Sequence, residues 1–250
     1  LIGFHIFKFK IDQMIKSLLL PLFLFVFSLN ICAQSLVGAW QNIMKLDNGQ
    51  EIKSVLIVTD KYQVMTTYSA KNGEFLQTNG GSWSLDGMTM TETVEFHSTK
   101  PEMVGQTVSF QIQLSENTLQ IVGSNEMFKR IDNGTPGQLE GAWLMSGRVM
   151  DGELQNRDTN RPRKTMKILS GTRFQWIAYN TETKEFMATG GGTYTTENGT
   201  YTENIEFFSR DVTRVGMRLD FQFELQNGDW VHKGKSSKGN PIHEIWSLRK

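Results

Sequence analysis

Cysteine is almost absent from this 250-residue chain: there is one, Cys32. Beyond it the sequence has no thiol, which excludes disulfides, cysteine-held zinc and a cysteine nucleophile from everything that follows. Charge of one sign is lacking too, since 26 basic residues face 26 acidic ones. That balance argues against nucleic acid as a partner. Long apolar runs are missing apart from Leu18 to Leu29, about a dozen residues behind a short basic start at Met14 and Lys16. This is the length of a signal-peptide core and too short to span a bilayer. The reading is a leader over residues 1–33 with its start near Met14 and cleavage after Ala33, so the protein is expected to be exported. Placement in the periplasm, outside the cell or on the outer surface stays open. Lipid attachment at Cys32 is the alternative, against which stands the bulky Ile31.

Helical periodicity is also scarce. In its place come short alternating runs rich in Thr, Phe, Tyr and Val, such as Leu219, Phe221, Phe223 and Leu225 with polar residues between them. This pattern specifies an all-β chain of half-buried antiparallel strands. The strands come in two sets. Gly38-x-Trp40 recurs as Gly141-x-Trp143, and from Tyr68/Tyr179 through Phe75/Phe186, Trp83/Tyr194, Glu92/Glu203, Glu95/Glu206 and Phe96/Phe207 the spacing stays at 111 residues. Two tandem antiparallel barrels are expected, over 34–135 and 136–250, joined by a turn-rich linker around 132–138. The spacing is only 103 at the tryptophans, so the second copy carries about eight more residues between its first two strands, in a loop over 151–163.

Gly-x-Trp on the first strand and an arginine near the end of the last one, Arg130 and Arg249 here, resemble the lipocalin pattern. That resemblance implies a barrel with Arg130 over Trp40 and Arg249 over Trp143. The elements around Gly190 to Tyr194 and Tyr201 to Phe207 are similar to lipocalin-like domains of unknown function from secreted Bacteroidota proteins, which implies an association with polysaccharide breakdown. The departures from lipocalins are the missing disulfides and the missing C-terminal helix.

Alternation assigns Glu203 to the face of Tyr201, Ile205 and Phe207, and Glu244 to the face of Ile242, Trp246 and Leu248. Both carboxylates are expected inside the second barrel, as Glu92 and Glu126 are inside the first. A carboxylate in an apolar interior needs a partner or a raised pKa. One reading is a structural hydrogen-bonded pair, and the other is a ligand-binding or acid/base role. His232 follows the inward face of Trp230, so His232, Tyr201, Glu203 and Glu244 form the candidate catalytic set. Nine of the ten arginines lie in the second copy. Arg173 and the loop residues Arg157, Arg161 and Arg163 are candidates for holding a carboxylate or sulfate. Tyr179, Tyr194, Trp176 and Trp230 complete the expected ligand contacts. No histidine spacing suits a metal, and no cofactor is implied. The expected ligand is a small acidic sugar-like molecule, such as a uronic-acid oligosaccharide, bound or relieved of water by elimination. A binder of small apolar molecules and a structural module of a surface assembly stay open beside it.

Overall fold

A computed structural model describes residues 35–135 and 137–249 of the chain. The expected leader and Cys32 lie outside the described residues. Eight strands make the first barrel: β1 (Gly38–Lys45), β2 (Glu51–Val58), β3 (Tyr62–Ser69), β4 (Phe75–Asp86), β5 (Thr89–His97), β6 (Thr107–Leu114), β7 (Thr118–Ile121) and β8 (Met127–Asp132). Each pairs antiparallel with the next, and β8 returns to β1 to close the barrel. Nine strands follow: β9 (Gly141–Met150), β10 (Glu153–Asn156), β11 (Arg163–Leu169), β12 (Arg173–Asn180), β13 (Phe186–Glu197), β14 (Thr200–Phe208), β15 (Arg218–Gln226), β16 (Asp229–Lys235) and β17 (Pro241–Leu248). Pairing of β17 with β9 closes an eight-stranded second barrel, to which β10 is attached as a hairpin partner of β9. The chain is an all-β, tandem-barrel protein.

Local sequence explains the repeated features. Asn198 and Gly199 both take positive φ and turn β13 into β14, the Asn-Gly hairpin chemistry that matches strand twist. Gly81 and Gly192 each follow a register shift, and a side chain at either would collide with a carbonyl of the next strand, of Thr93 and Asn204 respectively. Glycine there lets a long strand bulge and bend around the barrel. The indoles of Trp40 and Trp143 both donate to a carbonyl four residues earlier, Leu36 and Leu139, at 2.9 Å.

The copies differ where the extra residues fall. In the first barrel β1 and β2 hold eight paired positions, whereas β9 and β11 hold four. From Gly147 onward β9 pairs with β10 instead, so the stretch expected as a loop contains a strand. The wall of the second barrel is thereby parted beside Met145 and Thr165.

A core cluster joins the barrels, with Val55, Ile57, Val64, Tyr68 and Phe96 from the first against Met166, Ile168, Ile177, Tyr179 and Phe207 from the second. The contact is reciprocal in the manner of a two-fold dimer. Tyr68 donates to Glu206 at 2.6 Å, and Tyr179, its counterpart, donates to Glu95 at 2.6 Å. Phe75 and Phe186 stack on each other at 5.9 Å. The Gln175 amide donates to both Thr78 and Thr189. Each of these two half-buried carboxylates has its cation: Arg249 donates to both oxygens of Glu95, and Glu206 takes Arg173 and Lys53. Asp132, at the end of β8, accepts from Ser170, Gly171 and Thr172 and so ties the linker to the second barrel.

One expectation holds and two need correcting. The Arg130 guanidinium lies 3.9 Å over Trp40. Arg249 does not cover Trp143; Leu248 stands in register with that tryptophan, and Arg249, one residue further, turns to the outer face and stacks on Tyr62 at 3.8 Å. A shift of one residue changes the face of a strand. Glu126 is not inside the first barrel but half-buried ahead of β8.

Because Glu95 has Arg249 as its cation in a largely buried pair, Arg249→Ala is expected to cost about 3 kcal/mol or more. Tyr179→Phe, which removes one hydroxyl from the same carboxylate, should cost roughly 1–3 kcal/mol. Urea denaturation of the two variants tests this, and an Arg249→Ala protein that unfolds like the parent would contradict it.

Candidate functional site

The two interiors are built alike and filled differently. In the first barrel Trp40, Leu56, Met90, Ile112, Leu119 and Phe128 pack into a solid core. Glu92 sits among them, 5% exposed, with its Oε1 unpartnered. Burial pushes its pKa up to about 7, against a small opposing pull from Gln63. The counterpart of Glu92 is Glu203, and here the second barrel supplies a cation. Lys167 occupies the position of Leu56: each is the register partner of its barrel's first tryptophan. Its ammonium donates to Glu203 at 2.7 Å with both side chains buried. Four rings surround it, Tyr201 and Trp230 at 5.0 Å, Trp246 at 5.4 Å and Phe221 at 5.7 Å, so negative ring faces stabilise the charge alongside the carboxylate.

Next to this pair lies a second group. His232 on β16 and Glu244 on β17 are register partners, with Nδ1 to Oε2 at 3.6 Å, an electrostatic contact longer than a hydrogen bond. Arg148 on β9 donates to the other oxygen of Glu244 at 2.9 Å. Burial and the nearby Lys167 hold the His232 pKa down to about 4, so the ring is neutral at neutral pH. Neutral His232 turning Nδ1–H toward Glu244 leaves a free lone pair on Nε2. For Glu244, burial pushes upward, but His232, Lys167 and Arg148 outweigh it and hold the carboxyl well below the usual range. Of the two outcomes open to an interior carboxylate, a partner or a raised pKa, Glu244 has the first: its neighbours keep it ionised.

Lys167, Glu203, His232 and Glu244 line a cavity of about 220 Å³ with Trp176, Phe208, Phe221 and Trp246. Trp143, Tyr194, Tyr201 and Trp230 pack beneath it and close the barrel at that end. Among the described residues seven buried side-chain polar atoms have no hydrogen-bond partner, and six belong to this barrel: both nitrogens of His232, the Tyr201 hydroxyl, the indole nitrogens of Trp230 and Trp246, and Nε of Arg148. Burial, with the Glu203 carboxylate adding to it, pushes the Tyr201 hydroxyl pKa far up, so it keeps its proton. Unpartnered polar atoms are uncommon in folded interiors, and this set is rich in donors.

The structure brings together His232, Tyr201, Glu203 and Glu244, and places Trp176 and Trp230 around them. Tyr194 lies in the same interior, its hydroxyl donating to the Ser170 carbonyl at 2.5 Å. Arg157 is at the rim, where Arg148, Arg163 and Glu244 all act on it. Arg163 contacts the Met187 sulfur, and Arg161 is exposed beside Asp158 at 3.8 Å. Arg173 and Tyr179 are not in the site: they face the first barrel, engaged with Glu206 and Glu95. Alternation along β12 puts them on the face opposite Trp176. Lys167 and Arg148 are the residues that sequence reasoning did not place. Lys167 lies between Met166 and Ile168, whose outward side chains the other barrel covers, so β11 reads as apolar on the wrong face. Among the described residues no cluster of His, Asp and Glu has an arrangement that could hold a metal ion, and no helix is long and apolar enough to cross a membrane.

Comparison with known proteins adds one finding. A family model described as "Domain of unknown function (DUF4488)" matches residues 138–248, so the chain is similar to that family across its second barrel. No curated protein matches the chain.

The unpaired carboxyl of the first barrel sets a pH test. A folded pKa near 7, above the ordinary 4.5, makes Glu92 contribute stability that is present at low pH and lost as pH rises through 7. His232, held low, acts in the opposite sense and its contribution saturates above its ordinary 6.5. The difference between the parent and Glu92→Gln isolates the first effect. It should move in favour of the variant by about 3 kcal/mol between pH 5 and pH 8, measured by denaturation at several pH values. A difference independent of pH would show that Glu92 is not held in its protonated form.

Proposed function

We propose that the second barrel binds a small, oxygen-rich acidic ligand of sugar-like chemistry, the uronic-acid oligosaccharides being the class that fits it, while the first barrel is structural. The observation that carries this reading is the group of unpartnered buried nitrogens at the cavity: both of His232 and the indole nitrogen of Trp246 belong to its lining, and Nε of Arg148 stands at its edge beside Glu244. Indole N–H and guanidinium N–H call for acceptor oxygens, and hydroxyl and carboxylate groups supply them. Aromatic walls suit the apolar faces of a sugar ring. An acid suits the edge of the cavity, where Arg148 holds Glu244 and Arg157 lies in the field of both, while Lys167 and Glu203 offset each other inside. The resemblance to lipocalin-like domains points the same way, toward a barrel that holds a small molecule.

Binding is favoured over turnover, because the two carboxylates of the expected acid/base set are engaged with cations. A second reading rests on the free Nε2 of His232 and the protonated Tyr201, whose rings lie 5.7 Å apart. In it these two serve as base and acid for loss of water beside the ligand's carboxylate.

Isothermal titration with hexuronates and the matching neutral sugars tests the binding reading. The acidic sugar is expected to bind the more tightly, and Arg148→Ala to weaken it about tenfold, or 1.4 kcal/mol. Equal affinity for acidic and neutral sugars, or none for either, would overturn it. Mass spectrometry of the same mixtures decides the second reading: if water is lost, His232→Ala and Tyr201→Phe should slow that loss by about 10²–10⁴.

A further inference from the structure

The cavity is smaller than a small-molecule site usually is, at about 220 Å³ against a range of roughly 300–1,000 Å³. It is also blind, since its inner end is filled by Trp143, Tyr201 and Trp230, which are almost wholly buried. Its outer end is not filled. A groove of about 460 Å³ begins there, between the β9–β10 turn, with Val149, Met150 and Asp151, and the β16–β17 loop, with Ser236, Asn240 and Pro241. Ser236 and Ile242 line both spaces, so the groove continues the cavity. Arg148 stands at the junction: it lines the groove while its guanidinium holds Glu244 in the cavity. The Nε of Arg148 is buried there without a partner. The groove wall combines an apolar platform, Met150 at 47% exposed with Val149 and Ile242, with the polar edges Asn240 and His243. That is the mixture a sugar ring meets when one face stacks and its rim hydrogen-bonds.

We infer that the second barrel recognises the end of a chain: the terminal unit of an acidic oligosaccharide enters the cavity, and the next units lie in the groove between the β9–β10 and β16–β17 turns. This rests on the sugar-binding reading of the cavity and adds the direction and length of its ligand. A blind cavity cannot admit the middle of a polymer, because a chain passing through needs two exits. The extra residues of the second copy then have a purpose. They form β10, which draws the end of β9 away from β11, and that end with the following turn, Arg148 to Asp151, makes one wall of the groove. The first barrel, with a short turn at this point and a solid interior, has neither part.

The test uses the whole protein and four probes: a hexuronate monomer, its linear trimer, and two trimers carrying a bulky aromatic tag, one at one end and one at the other. Titration calorimetry should show the trimer binding at least tenfold more tightly than the monomer. One tagged trimer should bind like the untagged one, and the other should not bind. Met150→Ala should shrink the gain from monomer to trimer. If monomer and trimer bind equally, or if the two tagged trimers behave alike, end recognition is overturned while the cavity reading stands. If neither monomer nor trimer binds, the cavity reading itself falls.

Discussion

A carboxylate inside a small β-barrel has to be answered by charge or be driven to take up a proton, and the molecule shows both outcomes at one position. Glu203 has Lys167, and Glu92 has Leu56 where the lysine would stand. With leucine there, the first interior closes over its carboxyl as an apolar core. With lysine, the second interior has to accommodate an ammonium, which it does with four aromatic rings, and the space around that ion pair is not filled by side chains. The second strand of the duplicated unit thus carries leucine beside an apolar core cluster in one copy and lysine beside a polar cavity in the other. Arg148 and Glu244 extend the same logic outward as a second ion pair, with the neutral ring of His232 beside them.

The second organising contact is the exchange between the barrels. Each gives a tyrosine to the other's glutamate, and each glutamate has a cation, so the pairs Tyr68–Glu206 and Tyr179–Glu95 are copies of one arrangement seen from opposite sides. The symmetry is broken by the cations. Lys53 reaches Glu206, whereas its counterpart Lys164 bonds the carbonyls of Thr159 and Arg161, and Arg249 answers Glu95 in its place. Part of the arginine excess of the second copy is explained here. Arg173 and Arg249 hold the barrels together, while Arg148 holds Glu244 at the cavity and Arg214 donates to the carbonyl of Ser237 in its lining.

The two-barrel architecture was legible because its signals are local and repeated: Gly-x-Trp twice, the Asn-Gly turn, paired glycines at each bulge, and a spacing of 111 residues held across six strands. Tyr201, Glu203, His232 and Glu244 were legible as inward residues because period-two alternation survives in β14, β16 and β17. Three things were not. Lys167 was hidden because its neighbours Met166 and Ile168 are apolar for the sake of the other barrel, and alternation cannot tell an interior from a covered exterior. Arg173 and Tyr179 were placed with the ligand by composition alone, although they alternate with Trp176 and cannot share its face. Arg249 was misplaced by one residue, because the register shift in β17 falls within the strand and leaves no mark in the sequence.

Strand β9 serves three neighbours in turn, and this has a mechanical side. Its first residues, Ala142 and Leu144, are part of the core between the barrels. Its middle closes the second barrel against β17, and Arg148 near its far end grips Glu244 at the cavity mouth. A strand transmits displacement along its length far better than a loop does, because its backbone is already extended and has no slack to take up. The mouth and the shared core are thus the two ends of one stiff rod only a few residues long. Leu144 in the shared core and Arg148 at the cavity are four residues apart on that rod, so one short strand anchors both.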